Sequence, residues 1–130
     1  MKQASISFIC VVATAAFCAA CTSYKLDVGT ICDAARLADL AGEKSPKKQL
    51  VTQLEWARRN VHSSEGSALL AKVEGCSLGG VANGEHCKDW RVASGQLRAE
   101  SVKVGRKECA LADWMDKAQQ AIIDQPSLVR

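Results

Sequence analysis

Fifteen consecutive residues, Ile6 to Ala20, carry no charge, and they follow a start of Met1-Lys2-Gln3 with a single cation. A helix needs about 20 apolar residues to span a bilayer comfortably, so the run is short for a membrane span. It has the length of the apolar core of a secretion signal, and Ala19 and Ala20 supply the small residues that a signal peptidase accepts. A buried helix of the mature domain is a poor alternative, because the run has no polar face to meet water. Residues 1–20 are therefore expected to be a cleaved signal peptide, and everything after them is expected to fold outside the cytosol.

The residues at the junction sharpen that expectation. Cys18-Ala19-Ala20-Cys21, followed by Thr22-Ser23, resembles the bacterial lipobox, in which an aliphatic residue and two small ones precede a cysteine that becomes diacylated. Cys18 departs from the pattern by standing where leucine is usual, and ordinary cleavage between Ala20 and Cys21 is the alternative. Cysteine parity favours the lipid. Of seven cysteines, Cys10 and Cys18 leave with the signal, and Cys21, Cys32, Cys76, Cys87 and Cys109 remain. An odd thiol is unusual in an oxidising compartment. Lipidation of Cys21 leaves four cysteines, all of which can pair. Two or more acyl chains hold a protein stably where one does not, so the membrane partner is expected to be reached through the anchor alone. Thr22, not Asp, in the second position resembles the outer-membrane sorting default of two-membrane bacteria. The expected location is the outer membrane or cell surface, with a periplasmic or secreted protein as the alternative.

The remainder reads as a single helical domain, residues 30–130, on a tether of residues 21–29. Thr30 with Asp33 resembles a capping box, and Ile31, Ala34, Leu37, Ala38 and Ala41 recur at helical spacing up to Gly42. Ser45-Pro46 opens a second helix with a cap and a first-turn proline. Its inward stripe is Leu50, Leu54, Ala57 and Val61, and Trp56 on the other side is expected to pack against a neighbouring helix. Ala68, Leu69, Ala71 and Val73 mark a third, shorter helix ending at Gly75. Residues 77–85 hold three of the nine glycines and form the longest loop. A fourth helix is expected from near His86, with Cys87, Trp90, Ala93, Leu97 and Val104 on one face and Gly105 at its end. A fifth runs from about Lys107, with Leu111, Trp114, Met115, Ala118 and Ile122 inward, and Pro126 closes it. No alternating β-rich run exists, so the fold class is all-α: a small bundle of four to five short helices. Ala-rich helices bury little area, and a core of this size needs staples. Four cysteines allow three connectivities; the preferred one joins Cys32 to Cys109 and Cys76 to Cys87.

The Cys32-Asp33 pair, the stretch WARRNVHSSEGSALLAKV, and the late Gly105, Cys109 and Leu111-Ala112 within LRAESVKVGRKECALADW are similar to a set of small predicted lipoproteins of myxobacteria and related bacteria. The similarity covers about two thirds of the mature chain. It implies the helical fold and the Cys32–Cys109 pair and brings no activity with it. Cys76, Cys87 and the loop between them depart from that pattern.

Chemistry is sparse. Apolar residues make up 48% and charged residues 24%, ordinary for a folded domain. Lys2 is the only charge before residue 22, so the mature chain carries +2, too little to argue for nucleic acid. The densest basic group, Lys44, Lys47, Lys48, Arg58 and Arg59, alternates with Glu43, Gln49 and Glu55 as a solvated helix face does. The CAAC of residues 18–21 straddles the signal and lacks the following histidine of haem attachment. Cys76, His86 and Cys87 would require adjacent residues to bind one zinc ion, and disulfides account for the cysteines better. His62 and His86 are the two histidines. Near His62, Ser63, Ser64 and Ser67 fit helix caps better than a nucleophile. GGVANG lacks the Lys-Ser/Thr ending of a phosphate loop, and Asp113/Asp116 reads as a solvated pair. No catalytic, cofactor or metal residue is assigned. The expectation is a non-enzymatic envelope lipoprotein that presents a helical surface to a protein partner. The alternative is a secreted or periplasmic accessory or inhibitor protein working through residues 77–86.

Overall fold

The computed structural model describes residues 22–78, 81–82, 85–86 and 89–129. Five helices make up the fold: α1 over residues 22–37, α2 (Pro46–Asn60), α3 (Ser64–Ser77), α4 (Trp90–Lys103) and α5 (Ala110–Asp124), with a closing 3₁₀ turn, Pro126–Val129. The architecture is all-α. Between α3 and α4 a hairpin of two-residue strands pairs Val81 with His86 and Ala82 with Glu85. Each helix lays one stripe on a common core: Val28, Ile31 and Ala34 of α1, Leu50, Leu54 and Ala57 of α2, Leu69, Leu70 and Val73 of α3, Ala93 and Leu97 of α4, and Leu111 and Met115 of α5.

Local signals set most of the helix ends. Ser45 accepts from the Lys48 amide ahead of Pro46, Ser63 from the Gly66 amide, and Asp89 from the Arg91 amide. Each satisfies a donor that the first turn of a helix leaves open. Gly105, at φ 82°, ends α4 in a Schellman motif: its amide reaches the Val102 carbonyl, and the Arg106 amide reaches that of Ser101.

Several boundaries differ from the sequence reading. The tether is the largest correction: residues 22–29 are helical and belong to the domain. Tyr24, Val28, Ile31 and Ala35 form a packed stripe through them, which Lys25, Asp27 and Gly29 disguise in the sequence. Thr30 consequently lies inside α1 and caps nothing; its hydroxyl donates back to the Leu26 carbonyl. Helix α1 stops at residue 37, and the chain turns through Ala41 and Gly42, both at positive φ. Leu37 points outward, 61% exposed. On α3 the inward residues are Leu69, Leu70, Val73 and Cys76, with Ala68 and Ala71 outside, and the helix passes Gly75 to end at Ser77. Helix α4 starts at Trp90 and not near His86, and α5 at Ala110 and not Lys107, because Asp89 and Cys109 take the cap positions.

Cys32 of α1 and Cys109, at the head of α5, form a disulfide across 77 residues of sequence. Both are buried. Cys76 is buried and disulfide-bonded as well; its expected partner, Cys87, lies outside the described residues. So do the signal segment, residues 1–20, and the lipidation residue, Cys21. Disulfides form and persist in oxidising compartments, so the Cys32–Cys109 bond marks an extracytoplasmic protein. Among the described residues no helix is long and apolar enough to cross a membrane.

Candidate interaction surface

Among the described residues four polar groupings stand out, and three of them hold helices together. The first is a buried carboxylate. Asp27 of α1 accepts from the Ser63 amide (2.6 Å), the Ser63 hydroxyl (2.5 Å) and the His62 amide (3.0 Å). Ser63 in turn accepts from the Gly66 amide at 3.0 Å. One carboxylate thus reaches across the fold to fix the N-terminal end of α3, where the helix dipole also favours negative charge. Burial raises the pKa of Asp27, but the hydrogen bonds from Ser63 and His62 outweigh it and hold the carboxyl below its usual range. Gly66 is required by this contact: a β-carbon there would lie 2.6 Å from that of Asp27.

The second cluster joins α4 to α5. Arg98 bridges Asp113 (2.8 Å) and Asp116 (2.6 Å), and Ser94 lies 2.5 Å from Asp116. At the other end of α4, the buried Gln119 side chain of α5 accepts from the Trp90 amide, and the Trp90 indole donates to the Ser77 carbonyl at 2.6 Å. Trp90 also stacks on Trp114, centroids 5.9 Å apart. The third links α1 to α4: Tyr24 donates to Glu100 at 2.6 Å, and Lys103 donates to the other Glu100 oxygen at 2.9 Å. Burial, then the hydrogen bond to Glu100, raises the Tyr24 pKa far above the ordinary phenol range. The hydrogen bonds from Lys103 and Tyr24 lower that of Glu100. A phenol so hard to ionise is a poor proton donor or nucleophile near neutral pH.

The fourth place is open to solvent. Leu26, Thr30, Asp33 and Leu37 recur at spacings of four, three and four along α1 and so share one stripe. Trp56 of α2 and Arg106 of the α4–α5 turn flank it, and together they line a groove of about 300 Å³. Leu26 is 66% exposed and Leu37 61%. Arg36 and Arg106 both pair with Asp33 at 2.9 Å. Arg106 lies over Gly29, close enough that a β-carbon there would meet its guanidinium at 2.7 Å.

These positions sort the residues that the sequence singled out. Ser63 is a helix cap, and the structure ties it to Asp27. Asp113 and Asp116 are ion-paired to Arg98 and are not merely solvated. Trp56 is half-buried against the core, as expected of a packed residue, but one edge reaches the groove. Of the Cys76, His86 and Cys87 set, the side chains of His86 and Cys87 lie outside the described residues. Sequence reasoning missed Asp27, Gln119 and the outer face of α1. Asp27 and Gln119 act on residues 29 or more positions away, and the α1 face was hidden in the supposed tether.

Fold and polar clusters together define a disulfide-locked, all-α domain of an oxidising compartment. No family model, curated protein or solved structure matches the chain.

Proposed function

We propose that this chain is a lipid-anchored, non-enzymatic module of the bacterial cell envelope that binds or scaffolds a protein partner. The carrying observation is how the polar side chains are used: Asp27, Ser63, Tyr24, Glu100, Arg98 and Asp116 each hold one helix against another or cap it. That leaves a helical exterior suited to contact. Diacylated Cys21 would fix the domain to the membrane, and Thr22 in the second position points to the outer membrane of a two-membrane host. The resemblance of Cys32-Asp33, Gly105 and Cys109 to the pattern of small predicted lipoproteins of myxobacteria is in keeping with this reading.

Labelling with radioactive palmitate tests the anchor. Wild-type chain is expected to take up the label and Cys21→Ser none; equal labelling of the two, or label in neither, contradicts it. For the binding role, affinity isolation from detergent-solubilised envelopes is expected to return one recurrent partner, and repeated isolation of the bare chain counts against it.

A secreted or periplasmic accessory or inhibitor protein is the second reading. It is favoured by Cys18 standing where the lipobox has leucine, and by the hairpin of Val81–Ala82 and Glu85–His86 between α3 and α4. An unmodified Cys21 at the mature N-terminus would select it.

A further inference from the structure

We infer that the outer face of α1, with the groove it shares with Trp56 and Arg106, rests on an anionic lipid surface. The inference deepens the anchored reading above, and rests on it for the direction in which the membrane lies.

Helix α1 is already formed at residue 22, so no flexible linker separates the domain from Cys21. At about 1.5 Å per helical residue, Leu26 sits about 6 Å along the helix axis from Thr22, the residue next to Cys21, and Leu37 about 16 Å further. A domain held this closely has one helix laid near the headgroups, and its orientation is fixed by which face is apolar. On α1 that face carries Leu26 and Leu37, the two most exposed large hydrophobic residues of the helix.

Charge points the same way. Lys25, Arg36, Arg106 and Lys107 surround the stripe, against Asp33 and Glu108. This one surface therefore carries a surplus of two positive charges, equal to the net charge of the whole mature chain. Asp33 at its centre is neutralised by two guanidinium groups. Exposed leucines within a cationic rim are the composition of an interfacial helix, whose binding combines apolar burial with attraction to anionic headgroups. Each Lys or Arg near such a surface adds to that attraction, and salt screens it.

The test uses the mature chain beginning at Thr22, exported behind a conventional cleavable signal so that its disulfides form and no acyl chain is present. Co-sedimentation is measured with vesicles containing phosphatidylglycerol and with vesicles of phosphatidylcholine alone. Binding to the anionic vesicles is expected, weakened by salt, and reduced at least about tenfold in L26E/L37E. Both leucines are exposed, so that variant is expected to keep the wild-type circular dichroism and Tm. Ile123→Glu, an equally simple exchange of an exposed residue near the end of α5, is expected to bind as wild type does. Indifference to lipid charge, or equal binding by wild type and L26E/L37E, overturns the inference. So does a dimer that L26E/L37E converts to monomer, which would assign the face to a second copy of the chain. Because this chain lacks the lipid, its failure to bind is separate from a failure of the palmitate experiment.

Discussion

Asp27 is 2% exposed yet stays charged, because three donors around Ser63 converge on it. Replacing it with alanine leaves the Ser63 and His62 amides without their acceptor. Asp27→Ala is expected to lower the unfolding free energy by about 2–3 kcal/mol, read from urea denaturation at neutral pH. The pH dependence follows from the lowered pKa. A carboxyl more acidic in the folded state contributes stability above its unfolded value of about 3.9, and loses it as pH falls through the folded value. The gap between wild type and Asp27→Ala should accordingly narrow below that point. Gly66→Ala brings a methyl group against the same side chain and should cost about 1–3 kcal/mol, although alanine is otherwise the better helix former. Gln53 presents the opposite case. It is fully buried, and neither end of its amide has a hydrogen-bond partner among the described residues. Gln53→Met keeps the shape and removes the desolvated amide, so thermal denaturation should show a gain of about 1–2 kcal/mol.

At the scale of elements, α1 is held from three sides: by Asp27 to α3, by Tyr24 to α4, and by Cys32 to the head of α5. The last closes the longest loop. On the chain-entropy model a loop of this length stabilises by about 4–5 kcal/mol. The double variant Cys32→Ala/Cys109→Ala should therefore show a sharply lower urea midpoint, and a midpoint within error of wild type would remove the disulfide from the account. Interactions within a few residues of chain were legible in the sequence: Ser45 before Pro46, Ser63 before α3, and Gly105 after α4 are signals whose donor and acceptor are neighbours. What lay hidden works over distance. Gln119 caps α4 from α5, and Asp27 caps α3 from α1, so no local pattern announces either. The same physics explains the false tether. Residues 22–29 are weakly apolar and contain Gly29, and only contact with the core and with Arg106 shows why they are helical.

The whole molecule is a small, Ala-rich helical domain whose polar contacts fasten its own parts, leaving among the described residues a cationic, leucine-bearing face on α1, beside the proposed point of attachment. Export would link these features: buried disulfides form and persist in oxidising compartments outside the cytosol, and under the proposed reading Cys21 would meet the lipid-transferring machinery there. Intact-mass spectrometry of the chain purified from envelopes, before and after reduction, reads export, lipid and disulfides together. The expected mass is that of a mature chain starting at Cys21, heavier than its sequence by a diacylglyceryl group with or without a further acyl chain. Reduction should add the four hydrogens of two disulfides. A full-length chain of unmodified mass, unchanged by reduction, would contradict it.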